Sequence, residues 1–392
     1  MPRVLLASPL PPPEHGGIIN WTRVVRKEVG NRTDLELLIV DTAKRYRPIA
    51  GWPLLSRLLY GSTQALRDAF RVYRRMKSDA PDLIHLNTSG SLSTPKDIII
   101  LFLARRLGIP SVVHYHMQRP PAEITHLRLY WKATRFAMSL ANAVVVLDVR
   151  SERCVQAALP QQRITILPTM VEMDVIDRLT EEQAPPIQNE SAPLKLMFVG
   201  FVIPNKGVSE LVVAWLGQPD KNVRLEIVGK VVDPEFQREL ERSAAKAGRS
   251  ADLHFHGAVK EHDDVLRHLL GADVFVLASH GESAPAVVLE AMGCGCPVVS
   301  TFTGAIPEML DIGGPEECGL CVPPKDVAAL TDALGQLLAD EERRRMLGQR
   351  GRTRAARLYS VPVGCNQLLA LWQSVARENP PARLRPSPRI AE

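Results

Sequence analysis

Two glutamates stand eight positions apart in the stretch HGESAPAVVLEAMGCGCPVV, residues 280–299, and small or apolar residues fill almost all of the space between them. The run before it, DVFVLAS at residues 273–279, is typical of a buried β-strand. Pro285 suits the first turn of a helix, and the glycines that follow end that helix. The stretch therefore predicts a strand, a short loop carrying Glu282 and a helix carrying Glu290.

The turn at Ser283, Ala284 and Pro285 is suited to phosphate, because the free N–H groups and the dipole at a helix N-terminus attract anions. Glu282 repels phosphate, but it can accept hydrogen bonds from hydroxyls beside the phosphate. Glu290 would lie about 7.5 Å further along the helix axis, at ~1.5 Å per residue, which resembles the distance from a diphosphate to a ribose. The two carboxylates would then contact the sugar and the ribose of a nucleoside diphosphate sugar.

A purely structural explanation of the two glutamates remains open at this point. Glu282 could cap the helix, and Glu290 could pair with a surface cation. Anion sites built from a loop and a helix are common, and a motif of this length alone carries a risk of false positives.

Twelve short apolar runs, separated by helical stretches, predict the elements that position these residues. They lie at residues 4–8, 35–40, 82–87, 111–116, 143–148, 164–167, 194–200, 223–229, 252–257, 273–279, 297–301 and 319–322. Strands that are apolar along their whole length are typical of parallel sheets covered by helices on both faces. We therefore predict an α/β protein with two facing, Rossmann-like, doubly wound sheets, and ligands at the carboxyl ends of the strands in a cleft between the domains.

The polar, proline-bearing segment at residues 181–193 predicts a linker. The first domain would span residues 1–180 and the second residues 194–360. A helix at about 361–378 would pack back on the first domain. We expect the Pro- and Arg-rich tail at 379–392 to be disordered.

Hydropathy favours a protein that does not cross a membrane. No apolar run approaches the roughly 18 residues that a membrane span needs, and the N-terminus MPRVLLASPLPPP has too short an apolar core for a signal peptide. We expect a cytoplasmic protein. From residue 44 to residue 77, however, the chain has nine Lys or Arg and one acid, Asp68, together with apolar residues such as Trp52 and Tyr60. This pattern suits peripheral contact with the anionic inner face of the plasma membrane, and a solvated helix exterior is the alternative.

Four of the six cysteines form two short pairs, Cys294 with Cys296 and Cys318 with Cys321. Such pairs are compatible with a four-thiolate zinc site. Both pairs lie on apolar, strand-like segments, where cysteine acts as a small buried hydrophobe. We therefore expect no metal site.

Five motifs follow one another along the chain: VLLASPLPPPEHGGIINW, SVVHYH, LKLMFVGFVIPNKGVSELVVAW, ESAPAVVLE and TGAIPEML. In this order they resemble parts of GT-B retaining glycosyltransferases of family 4. The first three resemble the first strand with its glycine loop, the histidine-bearing strand and the opening of the second domain, and the last two together resemble the E-x7-E signature. The resemblance covers nearly the whole chain. Each motif alone is weak, and their order makes the match specific.

The resemblance implies a role for each matching residue. Gly16 and Gly17 would let the backbone approach the donor phosphates closely. Lys206 would neutralise charge on the leaving diphosphate. His116 would lie near the donor sugar and the acceptor, and His114 would share its face of the strand.

The same resemblance assigns Glu282 to the donor sugar and Glu290 to the ribose, with no metal or other cofactor beyond the nucleotide-sugar co-substrate. The chain departs from the family pattern at three places. Phe201 stands where an arginine beside the phosphate is usual, Ser283 stands where glycine is usual, and PTM at residues 168–170 stands where Asn-Gly is usual.

The implied activity is sugar transfer, with retention of configuration, from a UDP- or GDP-sugar to a glycan or lipid-linked acceptor, as in bacterial cell-surface polysaccharide or glycolipid biosynthesis. A sugar-nucleotide-binding protein without transferase activity is the alternative, because Phe201 removes a cation. Nucleic-acid binding is disfavoured, since no recognised binding motif or ordered array of aromatics accompanies the basic stretch. A dehydrogenase is disfavoured because no G-x-G-x-x-G follows an early strand.

Overall fold

The computed structural model of the chain describes residues 2–10, 17–30, 32–43, 54–90, 93–116, 128–182, 192–219 and 222–380, with the backbone alone at 54–62 and 128–129. These residues form two compact units. The first unit comprises Met1–Pro168 and Val361–Glu392, and the second comprises Thr169–Ser360. No helix within the described ranges is both long and apolar enough to span a membrane.

The first unit is built on a six-stranded parallel sheet with the order β2-β1-β3-β4-β5-β6. Its strands are β1 (Arg3–Ser8), β2 (Glu36–Asp41), β3 (Leu83–Thr88), β4 (Ser111–Tyr115), β5 (Ala143–Val146) and β6 (Ile164–Ile166). Its helices are α1 (Gly17–Val29), α2 (Leu54–Asp79), α3 (Thr94–Arg106), α4 (Arg128–Leu140), α5 (Val149–Ala158) and the C-terminal α14 (Val361–Glu378). The strand order reverses between β1 and β3, which makes their carboxyl ends a topological switch point.

The second unit has another six-stranded parallel sheet, with the order β12-β11-β10-β7-β8-β9. Its strands are β7 (Leu194–Val199), β8 (Val223–Val228), β9 (Leu253–Gly257), β10 (Val274–Leu277), β11 (Val298–Thr301) and β12 (Gly319–Val322). Its helices are α6 (Met173–Glu182), α7 (Val208–Leu216), α8 (Pro234–Lys246), α9 (His262–Leu270), α10 (Ala286–Gly293), α11 (Ile306–Met309), α12 (Val327–Ala339) and α13 (Glu341–Arg354). Here the order reverses between β7 and β10, as in a Rossmann fold.

Each of the twelve predicted apolar runs overlaps one strand, so the predicted α/β class and the two parallel sheets are confirmed. Every residue of β3, β4, β5, β10 and β11 is buried. Side chains on both faces of these central strands are covered, which explains why the sequence shows apolar runs there and not an alternation.

The boundary between the units falls at Pro168, not at residue 180 as the sequence predicted. The reason is the packing of α6, which contacts α9 of the second unit. Arg178 on α6 pairs with Asp263 at 2.6 Å, and Arg352 on α13 pairs with Asp177 at 2.5 Å. Helix α6 therefore belongs to the second unit. Of the predicted linker and tail, residues 183–191 and 381–392 lie outside the described residues.

The C-terminal helix α14 packs against α1, β3 and β4 of the first unit. Its buried face includes Leu368, Trp372 and Val375. The first unit is thus completed by residues that follow the whole of the second unit in the sequence.

Candidate functional site

The switch point of the second unit carries Lys206 and Glu282. β7 is followed by a single 3₁₀ turn, Pro204–Lys206, and neighbouring β10 is followed by the loop that holds Glu282. Because the strand order reverses between these two strands, the chain departs from them in opposite directions and leaves a crevice at their carboxyl ends. Ligands of open α/β sheets bind in such crevices.

Lys206 and Glu282 form a direct ion pair, which the sequence did not predict. Lys206 Nζ donates to Glu282 Oε1 at 2.6 Å, and Ser279 Oγ donates to the same oxygen at 2.6 Å. Glu282 is 5% exposed, whereas the Lys206 side chain is one-fifth exposed. Two donors on one buried carboxylate oxygen hold that carboxylate in a single orientation.

Close backbone contacts fix the loops around this ion pair. Gly207 has φ 69°, and a Cβ there would lie 1.9 Å from the carbonyl oxygen of Ala278. Gly304 has φ 53°, and a Cβ there would lie 2.0 Å from the carbonyl oxygen of Ser283. A side chain at either glycine would push apart the loops that carry Lys206 and Glu282.

Helix α10 begins at Ala286, one residue later than predicted, with Pro285 as its extended cap residue. The Ser283 carbonyl accepts from the Ala305 N–H at 2.6 Å, and the buried Ala284 offers its carbonyl to Thr169 Oγ1 at 2.9 Å. With both carbonyls bound in this way, the loop keeps one conformation. In the first turn of α10 the Val288 N–H donates to the Pro285 carbonyl at 3.1 Å. Anion binding at this helix N-terminus stays a prediction.

Glu290 lies in the middle of α10 and is 8% exposed. Its Oε1 is 3.0 Å from Nε2 of His262, the first residue of α9. Sequence reasoning missed His262, because it lies 28 positions from Glu290 and only the packing of α9 on α10 brings them together.

The switch point of the first unit carries a cluster of histidines. His116 directly follows β4, and its Nε2 is 3.2 Å from Asn87 Oδ1. His114 is fully buried, and its ring stacks on that of His116 with 4.0 Å between centroids, as strand alternation predicts. The sequence could not separate the two histidines. In the structure His116 is only half-buried, whereas neither ring nitrogen of His114 has a hydrogen-bond partner among the described residues.

A third histidine, His85, completes this cluster. Its Nε2 is 3.2 Å from Asn87 Oδ1, and its Nδ1 accepts from Trp372 Nε1 at 2.9 Å. The His85 ring stacks on Trp21 with 5.6 Å between centroids. The HLN alternation within DLIHLN places His85 and Asn87 on one face. Nothing in the sequence pointed to Trp372.

Loss of solvation favours the neutral form of all three histidines, of which His85 and His114 are fully buried and His116 is half-buried. Loss of solvation lowers the pKa of His85 to about 3 and that of His116 to about 3. It lowers the pKa of His114 well below the ordinary value, and the neighbouring His116 and His85 add to this effect. At neutral pH these imidazoles can therefore donate and accept hydrogen bonds, but they carry no positive charge.

Of the predicted glycine loop, Gly16 lies outside the described residues. Gly17 is the first residue of α1, and a Cβ there would meet no atom within 4 Å. Within the described residues, no protein atom therefore requires glycine at position 17.

The cysteine pairs form no metal site in the described part of the chain, where no group of three or more His, Cys, Asp or Glu is arranged to hold an ion. All four are free thiols. Burial raises the pKa of Cys318 to about 11 and that of Cys321 to about 12. Metals bind the thiolate, so this burial disfavours a metal role.

Two family models match the chain. Glycosyl transferases group 1 matches residues 180–354, and Glycosyltransferase Family 4 matches residues 24–175. The 2-deoxystreptamine N-acetyl-D-glucosaminyltransferase of Streptomyces fradiae is 30% identical over 314 residues, 72% of each chain. This chain belongs to glycosyltransferase family 4.

Other similar proteins agree with this family. The MMP alpha-(1->4)-mannosyltransferase of Mycolicibacterium hassiacum is 36% identical to this glycosyltransferase over 180 residues, which are 45% of this chain and 39% of that protein. Sucrose-phosphate synthase from Thermosynechococcus elongatus superposes with a TM-score of 0.74 at 19% identity, covering 96% of this chain and 100% of that one. Anabaena Alr3699/HepE in complex with UDP superposes with a TM-score of 0.70 at 16% identity, covering 95% and 100%. These superpositions show the GT-B fold.

The departure of this glycosyltransferase at Phe201 places an exposed aromatic ring just after β7. The register of β7 with β8 runs to Val199↔Val228 and resumes at Val202↔Val231, which aligns Phe201 with Lys230. The Val202 N–H donates to the Lys230 carbonyl at 2.9 Å, and Lys230 is exposed. A cation therefore stands on the neighbouring strand extension, one strand away from the position where the family pattern has arginine.

Proposed function

We propose that this glycosyltransferase transfers a sugar, with retention of configuration, from a UDP- or GDP-sugar to a glycan or lipid-linked acceptor in bacterial cell-surface polysaccharide or glycolipid biosynthesis. The observation that carries the proposal is the Lys206–Glu282 pair at the β7/β10 switch point, beside the N-terminus of α10. A cation and a helix N-terminus suit a diphosphate, and a buried carboxylate beside them suits the hydroxyls of the attached sugar.

The relatives support this choice of substrates. The Lipopolysaccharide core biosynthesis mannosyltransferase LpsB of Rhizobium meliloti is 30% identical over 153 residues. Two solved structures of Anabaena Alr3699/HepE contain UDP or UDP-glucose. The names of these relatives include several different sugars, so the donor sugar and the linkage are open in this proposal.

The mechanism we propose is a front-face displacement. The acceptor hydroxyl oxygen forms a bond to the anomeric carbon while the bond from that carbon to the diphosphate oxygen breaks. The hydroxyl proton passes to the departing phosphate oxygen. Lys206 and the N-terminus of α10 stabilise the charge that develops on the diphosphate, Glu282 orients the sugar, and no cofactor or metal takes part.

Two further residues would bind the donor. Glu290, oriented by His262, would accept hydrogen bonds from the ribose hydroxyls. Lys230 would supply the second cation for the diphosphate, in place of an arginine at position 201. Gly16 and Gly17 would let the backbone approach the phosphates.

A thermal-shift screen against UDP, GDP, ADP and their sugar conjugates tests the donor assignment, because a ligand that binds the native state raises the melting temperature. We expect a shift with UDP or GDP compounds that Glu290→Ala reduces and that Glu239→Ala, at an exposed glutamate of the same unit, leaves unchanged. No shift with any nucleotide would contradict the donor assignment. A shift without sugar transfer to any glycan or lipid-linked acceptor would favour a binding protein.

We also propose that α2 contacts an anionic membrane that presents the acceptor. In the part of α2 with described side chains, Leu66 and Phe70 are 57% and 61% exposed. They lie one helical turn apart, next to exposed Arg67 and Arg74. Exposed apolar side chains beside arginines suit an interface rich in anionic lipid. None of the side chains at residues 44–62 is among those that the structure describes.

Flotation with vesicles tests this contact. Wild-type protein should float with phosphatidylglycerol-containing vesicles and not with purely zwitterionic ones, and Leu66→Ser with Phe70→Ser should weaken flotation. Val213→Ser, at an exposed apolar position of the second unit, is the matched control. Equal flotation of all three proteins, or none with anionic vesicles, would remove α2 from the proposal.

A further inference from the structure

We propose that Trp372 on the C-terminal helix is a positioning residue that acts on His116 through His85 and Asn87. This chain of hydrogen bonds holds His116 as the tautomer with its proton on Nε2 and presents the Nδ1 lone pair to a substrate hydroxyl. The inference deepens the role proposed for the active-site histidine and rests on it. The tautomer itself can be measured without any assay of transfer.

The direction of the chain is set at its first member. An indole nitrogen can only donate a hydrogen bond. Trp372 Nε1 lies 2.9 Å from His85 Nδ1, and both side chains are buried. His85 Nδ1 must therefore be the acceptor. Because burial lowers the pKa of His85 to about 3, the ring is neutral and its single proton sits on Nε2.

The second step fixes the amide of Asn87. His85 Nε2 donates across 3.2 Å, so the atom of Asn87 that faces it must be the oxygen. The Asn87 nitrogen then donates to Ser8 Oγ at 2.8 Å. Ser8 and Thr22 hydroxyls are 2.5 Å apart, and Thr22 donates to the Ile18 carbonyl at 2.8 Å. Each donor in this series meets an acceptor, so a flipped amide would oppose N–H to N–H and leave buried groups unpaired.

The third step reaches His116. Its Nε2 lies 3.2 Å from the same Asn87 oxygen, and a carbonyl oxygen has two lone pairs. Facing an acceptor, His116 Nε2 must donate. Burial keeps this ring neutral as well, so Nδ1 carries the lone pair. A neutral Nδ1 can accept a hydrogen bond from a sugar hydroxyl and cannot donate one.

In this proposal, α14 contributes a hydrogen-bond donor to the histidine cluster as well as apolar side chains to the core. Trp372 is 2% exposed, so its ring also contributes to packing. Its N–H, however, is the group that makes His85 Nδ1 an acceptor and so sets the direction of the hydrogen bonds that follow. Trp372→Phe keeps most of the packing and removes this donor, which separates the two contributions.

Trp215→Phe is a matched control. Trp215 is fully buried in the second unit, and its Nε1 donates to the Val223 carbonyl at 3.0 Å. Both substitutions remove one indole N–H from a buried acceptor. Only Trp372 is connected to a histidine.

The experiment is long-range ¹H–¹⁵N correlation spectroscopy on histidine-labelled full-length protein, with His116 assigned by His116→Gln. In the wild type we expect His116 to be neutral with its proton on Nε2. In Trp372→Phe we expect a mixture of tautomers at His85 and His116, and in Trp215→Phe the wild-type pattern. With a competent donor and acceptor, kcat of Trp372→Phe should fall about tenfold, the equivalent of losing one or two net hydrogen bonds, while that of Trp215→Phe should not.

Several outcomes would overturn the proposal. A proton on Nδ1 of wild-type His116 would reverse the inferred direction, and this reading requires no variant to fold. If a folded Trp372→Phe variant kept the wild-type tautomer of His116, then Trp372 would not determine that tautomer. If instead the tautomers behave as expected and His116→Gln transfers sugar at the wild-type rate, the hydrogen-bond chain stands and the proposed role of His116 fails.

Discussion

The two units use histidine in opposite surroundings. In the first unit His85, His114 and His116 contact one another and Trp21, and the hydrogen bonds of the cluster run to an amide and an indole. In the second unit four histidines face carboxylates. His254 and His256 face Glu226, His262 faces Glu290, and His280 faces Glu210 at 2.7 Å.

The difference shows what each switch point is built to do. Neutral imidazoles offer one donor and one acceptor, so hydrogen-bond direction is their contribution in the first unit. The second unit has a Lys–Glu pair and histidines that contact carboxylates, so charge is its contribution, as the proposed binding of a diphosphate would require. The following predictions test this division, from the largest expected effect to the smallest.

Removing one charge at the second switch point should have the largest effect. We expect Glu282→Gln to lower kcat by about 10²–10³-fold, comparable to the loss of one preorganised electrostatic contact, because Lys206 loses its ionic partner and the sugar loses an acceptor. Glu316→Gln, at an exposed glutamate of the same unit, should change kcat little. Near-normal transfer by a correctly folded Glu282→Gln would contradict the site assignment.

Acid should weaken the first unit through its buried histidines. Burial lowers the pKa of His85 to about 3, below the ~6.5 of an unfolded chain, so the unfolded state binds more protons between these values. The stability that neutral His85 contributes is complete above pH ~6.5 and is lost as the pH falls towards 3, at up to about 1.4 kcal/mol per pH unit.

Urea unfolding of wild type and His85→Gln at pH 7, 6 and 5 measures this effect. We expect the free energy of unfolding of the wild type to fall more steeply with acidification than that of the variant. His254→Gln, at a half-exposed histidine beside Glu226, is the control in the second unit. Parallel pH dependences of wild type and His85→Gln would mean that His85 is not held neutral by the fold.

The cation at position 230 gives the next effect. Lys230→Ala should weaken UDP or GDP binding about tenfold, since one charge-assisted hydrogen bond contributes roughly 1.5–3 kcal/mol when buried and less when exposed. Lys260→Ala, at an exposed lysine after β9, should leave the Kd unchanged. Titration calorimetry compares the two. If both variants lost the same affinity for the nucleotide, Lys230 would act only through the overall positive charge of the unit and not through direct contact with the diphosphate.

Loosening a carboxylate without removing it should have the smallest effect. We expect His262→Ala to raise the donor KM severalfold while kcat is nearly unchanged, because Glu290 keeps its charge but loses the imidazole that orients it, a contact of about 1 kcal/mol. A fall in kcat with an unchanged KM would indicate that Glu290 acts in the transition state of sugar transfer and not in binding of the ribose.

The sequence predicted the fold well because its signal is local. Apolar runs of four to seven residues mark every strand, and the motifs that end them carry Lys206, Glu282 and His116. The start of α10 was predicted to within one residue from Pro285.

Contacts between distant residues could not be predicted in this way. The pairing of Lys206 with Glu282, 76 positions apart, depends on β10 lying next to β7, which is a property of strand order. The contact of Trp372 with His85 spans 287 positions and depends on the return of α14. The domain boundary was placed about twelve residues too late because α6 carries a helical pattern that does not say which sheet it will cover.

The ends of the second unit lie side by side. Val171 pairs with Ser360 in a short parallel bridge, and the Val171 N–H donates to the Tyr359 carbonyl at 2.9 Å. A segment whose two ends meet can be excised or exchanged as a module with little disturbance to the fold that hosts it. We therefore expect residues 169–360 to be transplantable between members of the family at these two cuts. The recipient would acquire a new second unit, with the switch point that carries Lys206 and Glu282, while it keeps its own histidine cluster and C-terminal helix.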